Sequence, residues 1–239
     1  MIMNVFITGN SSGLGLGLTE ALMDRDAIVW GMSRTGCALK PKFDDVLRDR
    51  QQDLGKLNTI EEGLDRLLSD CLRLDLVILN AGILGRIQEI AHTDVHDLEH
   101  MMRVNVWSNK VILDWLIERQ LPVTQVVAIS SGAAVNMSYG WGGYSLSKAA
   151  LNNLVRLYAP EMPNTHLTAF APGLVDTGMQ DYLCEEVDSD EFPSTQKLKD
   201  ARGTEDMPKP REAADRILDL LDTLRSDFDS GEFVDIRKM

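Results

Sequence analysis

A glycine-rich turn near the start of the chain limits what the chain can fold into. "ITGNSSGLGLG" follows the short apolar run "NVFIT" (Asn4–Thr8) and precedes the helix-like "LTEALMDRD". Gly9, Gly13 and Gly15 have the spacing GxxxGxG. In a strand–turn–helix unit, Gly9 permits the tight turn and Gly13 lets the backbone approach a pyrophosphate. Gly15 then allows close packing of helix on strand. The backbone N–H groups around Ser11, Ser12 and Leu14 lie at a helix N-terminus, where they face an anion. A turn of this composition also exists with no ligand. Its place after the first strand of a βαβ unit is what favours a dinucleotide.

Beyond the turn, strand-like runs alternate with helix-like periodic segments. Strands are predicted at 27–33, weakly at 45–53, and at 74–80, 123–130, His166–Ala171 and 231–236. Helices are predicted at 59–72, 94–120, 144–158 and 212–225. "LDLVILN" at 74–80 is nearly all apolar, as a central parallel strand covered on both faces requires. The alternation predicts an α/β fold, a doubly wound parallel sheet with helices on both faces. No repeat divides the 239 residues, a length that suits one domain with a large core. The exception to the alternation is 183–210, which is polar, acidic and proline-bearing. A loop so long is either a functional lid, here spanning about 178–210, or disordered.

The bulk numbers exclude some functions. Lys and Arg total 24 against 37 Asp and Glu, a formal net charge of −13. Such a surface repels nucleic acid and anionic membranes. Cys37, Cys71 and Cys184 are odd in number, far apart and free of CxxC spacing, so free thiols in the reducing cytoplasm are expected. "MIMNVFITGN" is apolar but brief and reads as a first strand rather than a signal peptide. No apolar run approaches the ~18 residues of a membrane span. His92, His96 and His100 have intervals that can share a helix face, but the helix is expected to begin near Asp94, and no metal site is predicted.

The end of the second strand reads the nucleotide. An NAD-binding fold usually carries an acid there for the adenosine 2′-hydroxyl. This chain has "GMSR", with Ser33 and Arg34 and no carboxylate. A guanidinium favours a 2′-phosphate, so NADP(H) is the preferred cofactor and NAD(H) the other choice. The competing reading leaves Arg34 pointing to solvent. Asp53 and Leu54, after the third strand, are placed to bond the adenine amino group and cover its ring.

Of four tyrosines, only Tyr144 has a lysine, Lys148, at i+4. On a helix the two share a face. A nearby ammonium favours phenolate, and a phenol tuned this way can give a proton to a developing alkoxide or take one from an alcohol. The pair alone is a frequent accident, and its company is what gives it weight. Ser131 ends the fifth strand 144 − 131 = 13 residues earlier, and Asn80-Ala81-Gly82 ends the fourth. Pro172, Gly173, Val175 and Thr177 follow the sixth. All lie at strand C-termini, where open α/β sheets bind ligands. Trp141, Tyr139 and Met137 stand either in a substrate pocket or under the loop as packing. Met179 and Tyr182 either touch substrate or only open the lid.

With these motifs in order from Thr8 to Thr177, the chain resembles the compact branch of the short-chain dehydrogenases/reductases. "APGLVDTGMQ" and the C-terminal "GEFVDIRKM" are similar to the sepiapterin and benzil reductase members. The resemblance implies a Rossmann-type sheet in the order 3-2-1-4-5-6-7 and an NADP(H)-dependent oxidoreductase acting on a ketone, a diketone or the corresponding alcohol. It makes Tyr144 the general acid/base and has Ser131 hold the carbonyl oxygen. Lys148 lowers the tyrosine pKa and binds ribose, and Asn105 holds a relay water. Asn80 and Gly82 flank the cofactor, and residues 174–177 seat its carboxamide. It also implies a homodimer or homotetramer, although the Gly-Gly that often follows the last strand is missing. Ser12 stands where NADP-preferring relatives often have a basic residue, which leaves Arg34 alone. The alternative is a non-catalytic nucleotide-binding regulator of the same fold, expected to have lost Ser131, Tyr144 or Lys148. An epimerase or dehydratase needs a larger C-terminal region.

Overall fold

The computed structural model describes residues 2–239. Strands β1 (Asn4–Thr8), β2 (Ile28–Ser33), β3 (Leu47–Gln51), β4 (Leu74–Leu79), β5 (Val123–Ile129), β6 (His166–Ala171) and β7 (Phe233–Asp235) form one sheet. Its order is β3-β2-β1-β4-β5-β6-β7, with every neighbouring pair parallel. The chain therefore leaves β1 in one direction for β2 and β3, then returns past β1 to add β4. The C-terminal edge at that reversal is the natural ligand crevice.

Alternation along each strand supplies two cores. Phe6 of β1 and Val77 and Leu79 of β4 pack on one face with Ile60 and Leu64 of α2 (Ile60–Leu67). Val5, Ile7, Leu76 and Ile78 pack on the other with Leu14, Leu18 and Leu22 of α1 (Gly13–Met23). Each such side chain contributes about 1.5–3 kcal/mol when fully buried. Between β4 and β5 the chain forms α3 (Val95–Met102) and α4 (Ser108–Glu118). After β5 come α5 (Ala133–Asn136) and α6 (Gly142–Tyr158). After β6 come α7 (Gly178–Glu185), α8 (Gln196–Ala201), α9 (Pro210–Asp219) and α10 (Leu221–Asp227).

Four elements differ from expectation. The first helix starts at Gly13, inside the glycine turn. The helix expected at 94–120 is interrupted by a π-helical turn, Arg103–Trp107, and Asp94 caps its start by accepting the His96 N–H at 2.8 Å. The helix expected at 212–225 is two helices parted at Leu220. The segment 183–210 is neither bare loop nor disordered: it continues α7, adds α8, and buries Leu183, Val187, Phe192, Leu198 and Met207 against Leu84 and Ile87. Among the described residues, no helix is long and apolar enough to cross a membrane.

Helix α9 crosses α1 closely, and a Cβ added at Gly17 would lie 2.5 Å from the backbone of Pro210. Gly17→Ala must push the two helices apart, with an expected loss of about 1–3 kcal/mol. Urea unfolding of the variant checks this, and unchanged stability would show that the crossing yields freely.

Candidate active site

The glycine turn is held from the neighbouring strand. The N–H groups of Asn80 and Ala81 donate to Thr8 Oγ1 at 3.0 and 3.1 Å. Asn80 Nδ2 donates to the carbonyls of Thr8 and Gly9 at 3.0 and 3.2 Å. Gly9 adopts φ +72° and Gly13 φ +53°, left-handed conformations that favour glycine. A Cβ at Gly15 would meet the Gly9 carbonyl at 2.1 Å. Ser12 gives α1 no side-chain cap, so the first amides of the helix have no such partner.

One cavity of about 600 Å³ occupies this rim. Its walls include Gly9, Ser11, Ser12, Gly13, Leu14 and Gly15 of the turn, and Asn80, Ala81 and Gly82 after β4. Ser33, Arg34, Asp53 and Leu54 also line it, as do Ser131, Trp141, Tyr144 and Lys148. Pro172, Gly173, Val175, Thr177 and Met179 join them, all expected from sequence. Arg34 makes no ion pair among the described residues, and the buried Ser33 Oγ beside it has no hydrogen-bond partner. Asp53 Oδ1 accepts the Gly55 N–H at 2.9 Å.

Four candidates from sequence do not line the cavity: Met137 and Tyr139 are exposed, with Tyr139 stacked on Phe192, Tyr182 packs under the α7–α8 segment, and Asn105 stands behind the wall, fully buried in the π-helical turn. Its side chain is committed to protein. Oδ1 accepts the Ile83 N–H at 2.8 Å, and Nδ2 donates to the Ile83 carbonyl at 2.8 Å and to Ser147 Oγ at 2.9 Å. Ser147 in turn donates to the Tyr144 carbonyl at 2.8 Å, which ties the π-helical turn to the start of α6.

Tyr144 has an edge on the cavity and tilts against Trp141, with ring centroids 6.2 Å apart. Burial of its phenol pushes the pKa up to about 12, and the Ser131 hydroxyl beside it pulls the other way. Lys148 is buried and donates Nζ to the Ile129 carbonyl at 2.8 Å. Its ammonium is 5.7 Å from the Tyr144 ring centroid, and burial pulls its pKa down to about 8. Burial thus outweighs any attraction of the ammonium for a phenolate.

Sequence reading missed several wall residues. His100 and Val104 border the cavity close to Gly55, and Gln180, Leu183 and Leu198 enter it from α7 and α8. The i, i+3 relation of Gln180 and Leu183 was the available signal, hidden in a segment too polar to read as helix. Among the described residues, no three His, Cys, Asp or Glu side chains gather as metal ligands.

The residues present fit a dinucleotide. Two glycine backbones leave room for a pyrophosphate, and an unpaired guanidinium with an unsatisfied hydroxyl stands on the same cavity as the tyrosine and lysine. Fold and cleft define an oxidoreductase that works with a bound dinucleotide. A family model described as short chain dehydrogenase matches residues 3–188, and the chain belongs to that family. It is accordingly an NAD(P)-dependent oxidoreductase acting on CH–OH and C=O groups. A benzil reductase ((S)-benzoin forming) of Saccharomyces cerevisiae is 32% identical over 191 residues, covering 74% of this chain and 73% of that protein. Sepiapterin reductase of Bos taurus is 28% identical over 257 residues, covering 96% and 92%. A crystal structure of a short chain dehydrogenase/reductase from Saccharomyces cerevisiae superposes with a TM-score of 0.85 at 23% identity, covering 98% of this chain and 95% of that one, and shows the same fold.

The depressed Lys148 pKa has a consequence for stability. Below pH 8 the group is charged both in the fold and in the unfolded chain, so the full burial penalty applies. Between about 8 and 10.5 the unfolded chain binds a proton the fold lacks, and the penalty fades as pH rises. Lys148→Met is expected to raise stability at pH 7 by on the order of 2 kcal/mol, with the gain shrinking towards pH 10. Urea unfolding at the two pH values tests this, and a pH-independent difference would refute it.

Proposed function

We propose that this chain is an NADP(H)-dependent carbonyl reductase, taking ketones whose carbonyl adjoins a second carbonyl or an electron-poor ring. The observation that carries the reading is the convergence of Ser131, Tyr144 and Lys148 on the cavity that also holds the glycine turn. The alternative of a non-catalytic regulator called for the loss of one of these three, and all are present. The substrate class is carried over from the benzil and sepiapterin reductases to which the chain is similar.

When bound, the reduced nicotinamide supplies the hydride. The protein's part is orientation and a proton. Ser131 donates to the substrate oxygen and holds it beside the phenol. Tyr144 gives its proton to that oxygen as negative charge develops. With its pKa pushed up to about 12, Tyr144 keeps the proton at neutral pH, the state that reduction requires. Lys148 Nζ holds the ribose hydroxyls. Both N–H groups of the Asn105 side chain are engaged, so a relay water would donate to an acceptor oxygen of this residue, such as its main-chain carbonyl, which also accepts from Asn109 Nδ2 at 2.9 Å. Asn80 acts on the cofactor by shaping the turn. Arg34 and Ser33 take the 2′-phosphate, Asp53 and Leu54 the adenine, and the 172–177 loop the carboxamide.

The segment from α7 to α8 serves as the substrate lid. Trp141, anchored through Nε1 to Ser194 Oγ at 2.8 Å, and Met179 give the pocket its apolar wall. A homodimer or homotetramer is supported by exposed apolar side chains on neighbouring helices: Val95 of α3, Ile117 of α4, and Leu146 and Leu157 of α6. A cytoplasmic location is supported by three cysteines that stand as free thiols.

NADPH oxidation against a panel of diketones, quinones, pterins, ketoesters and steroids tests the activity. Tyr144→Phe is expected to lower turnover at least about 100-fold while leaving NADPH affinity within about threefold, because only the proton donor is lost. Retained turnover would sink the assignment. Arg34→Asp is expected to move the NADPH/NADH ratio of kcat/KM towards NADH by at least about tenfold. An unmoved ratio would show that Arg34 does not read the phosphate.

A further inference from the structure

Arg34 and Thr35 line the cavity from the loop after β2, and both are exposed. A guanidinium on such a loop reads a phosphate well only where the loop is held in place beforehand. Two side chains of β3 hold it. Leu47, Asp49 and Gln51 share one face of that strand. Leu47 packs in the same apolar core as Cys37. Asp49 Oδ2 accepts the Cys37 N–H at 2.9 Å, and Gln51 Nε2 donates to the Thr35 carbonyl at 3.0 Å. The loop lies so close that a Cβ at Gly36 would stand 3.2 Å from both Asp49 Oδ2 and Gln51 Nε2. The other Asp49 oxygen, Oδ1, accepts from Asn10 Nδ2 of the glycine turn at 2.7 Å. Asn10 follows β1, so this bond passes over β2, where Gly31 stands between Ile7 and Asp49. A Cβ at Gly31 would meet Asn10 Nδ2 at 2.0 Å, which gives the reason for a glycine inside this strand. One carboxylate thus ties the glycine turn to the loop that carries Arg34. Neither Asp49 nor Gln51 lines the cavity itself.

We infer that Asp49 and Gln51 are positioning residues for cofactor choice: they fix the loop 34–37 relative to the glycine turn, so that Arg34 meets the 2′-phosphate while the turn holds the pyrophosphate. This inference rests on the NADP(H) reading. It adds to Arg34 and Ser33 two residues that act through the protein alone. The phosphate groups of one dinucleotide are joined through a ribose, which limits how far apart they stand. A loop already set at that spacing has less freedom to lose on binding. NAD(H) has no 2′-phosphate, so its affinity does not draw on where Arg34 stands. Selection between the two cofactors is therefore the property that the β3 side chains govern. The end of β2 carries the charge, and β3 sets its place.

Affinities for NADP⁺ and NAD⁺, measured by calorimetry, test this without any turnover. The proteins compared are wild type, Asp49→Asn, Gln51→Leu, Arg34→Ala, and each β3 variant combined with Arg34→Ala. Asparagine at 49 keeps the shape but offers one acceptor oxygen to two donors, so one tie is lost. Asp49→Asn is expected to weaken NADP⁺ at least about fivefold and to leave NAD⁺ within about twofold. Gln51 is exposed, so its replacement leaves the fold standing. Gln51→Leu is expected to weaken NADP⁺ at least about threefold, again with NAD⁺ little changed. With Arg34→Ala already present, neither change is expected to move the NADP⁺/NAD⁺ ratio further. Equal losses for both cofactors in the two β3 variants overturn the inference, because the ties would then serve only the fold. A further fall of the ratio in the Arg34→Ala background overturns it as well. If Arg34→Ala lowers the ratio and the β3 variants do not, the inference falls alone. If Arg34→Ala itself leaves the ratio unmoved, the NADP(H) reading falls and takes the inference with it.

Discussion

Thr8 holds the rim of this molecule together. Its hydroxyl accepts two main-chain amides from the residues after β4, while Asn80 returns two hydrogen bonds to the carbonyls of Thr8 and Gly9. Two strands adjacent in the sheet but distant in sequence are thereby joined where the sheet reverses its order. The position of the glycine turn, the start of α1 and the mouth of the cleft all follow from that joint. Gly15 has to lack a side chain because the joint brings the Gly9 carbonyl against it.

A second constraint is electrostatic. The cleft buries a phenol and an ammonium together, and each is driven towards its neutral form: the tyrosine keeps its proton and the lysine tends to lose one. For the tyrosine this agrees with the task of a proton donor. For the lysine it means that charge is kept near neutral pH only at a cost to the fold, met in part by the Ile129 carbonyl. Groups kept for their chemistry rather than for the fold often stand in this position.

Much of this was legible in sequence. Strand alternation, the glycine spacing and the run of motifs at strand ends placed the sheet and most of the wall residues, because those features are set locally by backbone sterics and burial. The covering segment was not legible. Helices α7 and α8 are short, and their charged residues look like loop. Only the folded chain brings Arg202 onto Asp181, Glu185 and Asp176. Of the apolar residues that anchor them, Leu183 and Val187 stand four apart, but the next, Phe192 and Leu198, do not continue that interval, so no sustained period shows. The π-helical turn at Asn105 was likewise invisible, since one inserted residue in an otherwise regular helix leaves no compositional trace.

The covering segment is tied down on several sides. Tyr182 Oη accepts the Ile87 N–H at 3.0 Å, Ser194 accepts from Trp141, and the Asp176 N–H donates to the Pro208 carbonyl at 2.9 Å. A segment already ordered has little conformational entropy left to lose when a small molecule arrives. The cleft thus meets a small molecule with its wall already set in place, and reshaping that wall for a bulkier one has to break those ties.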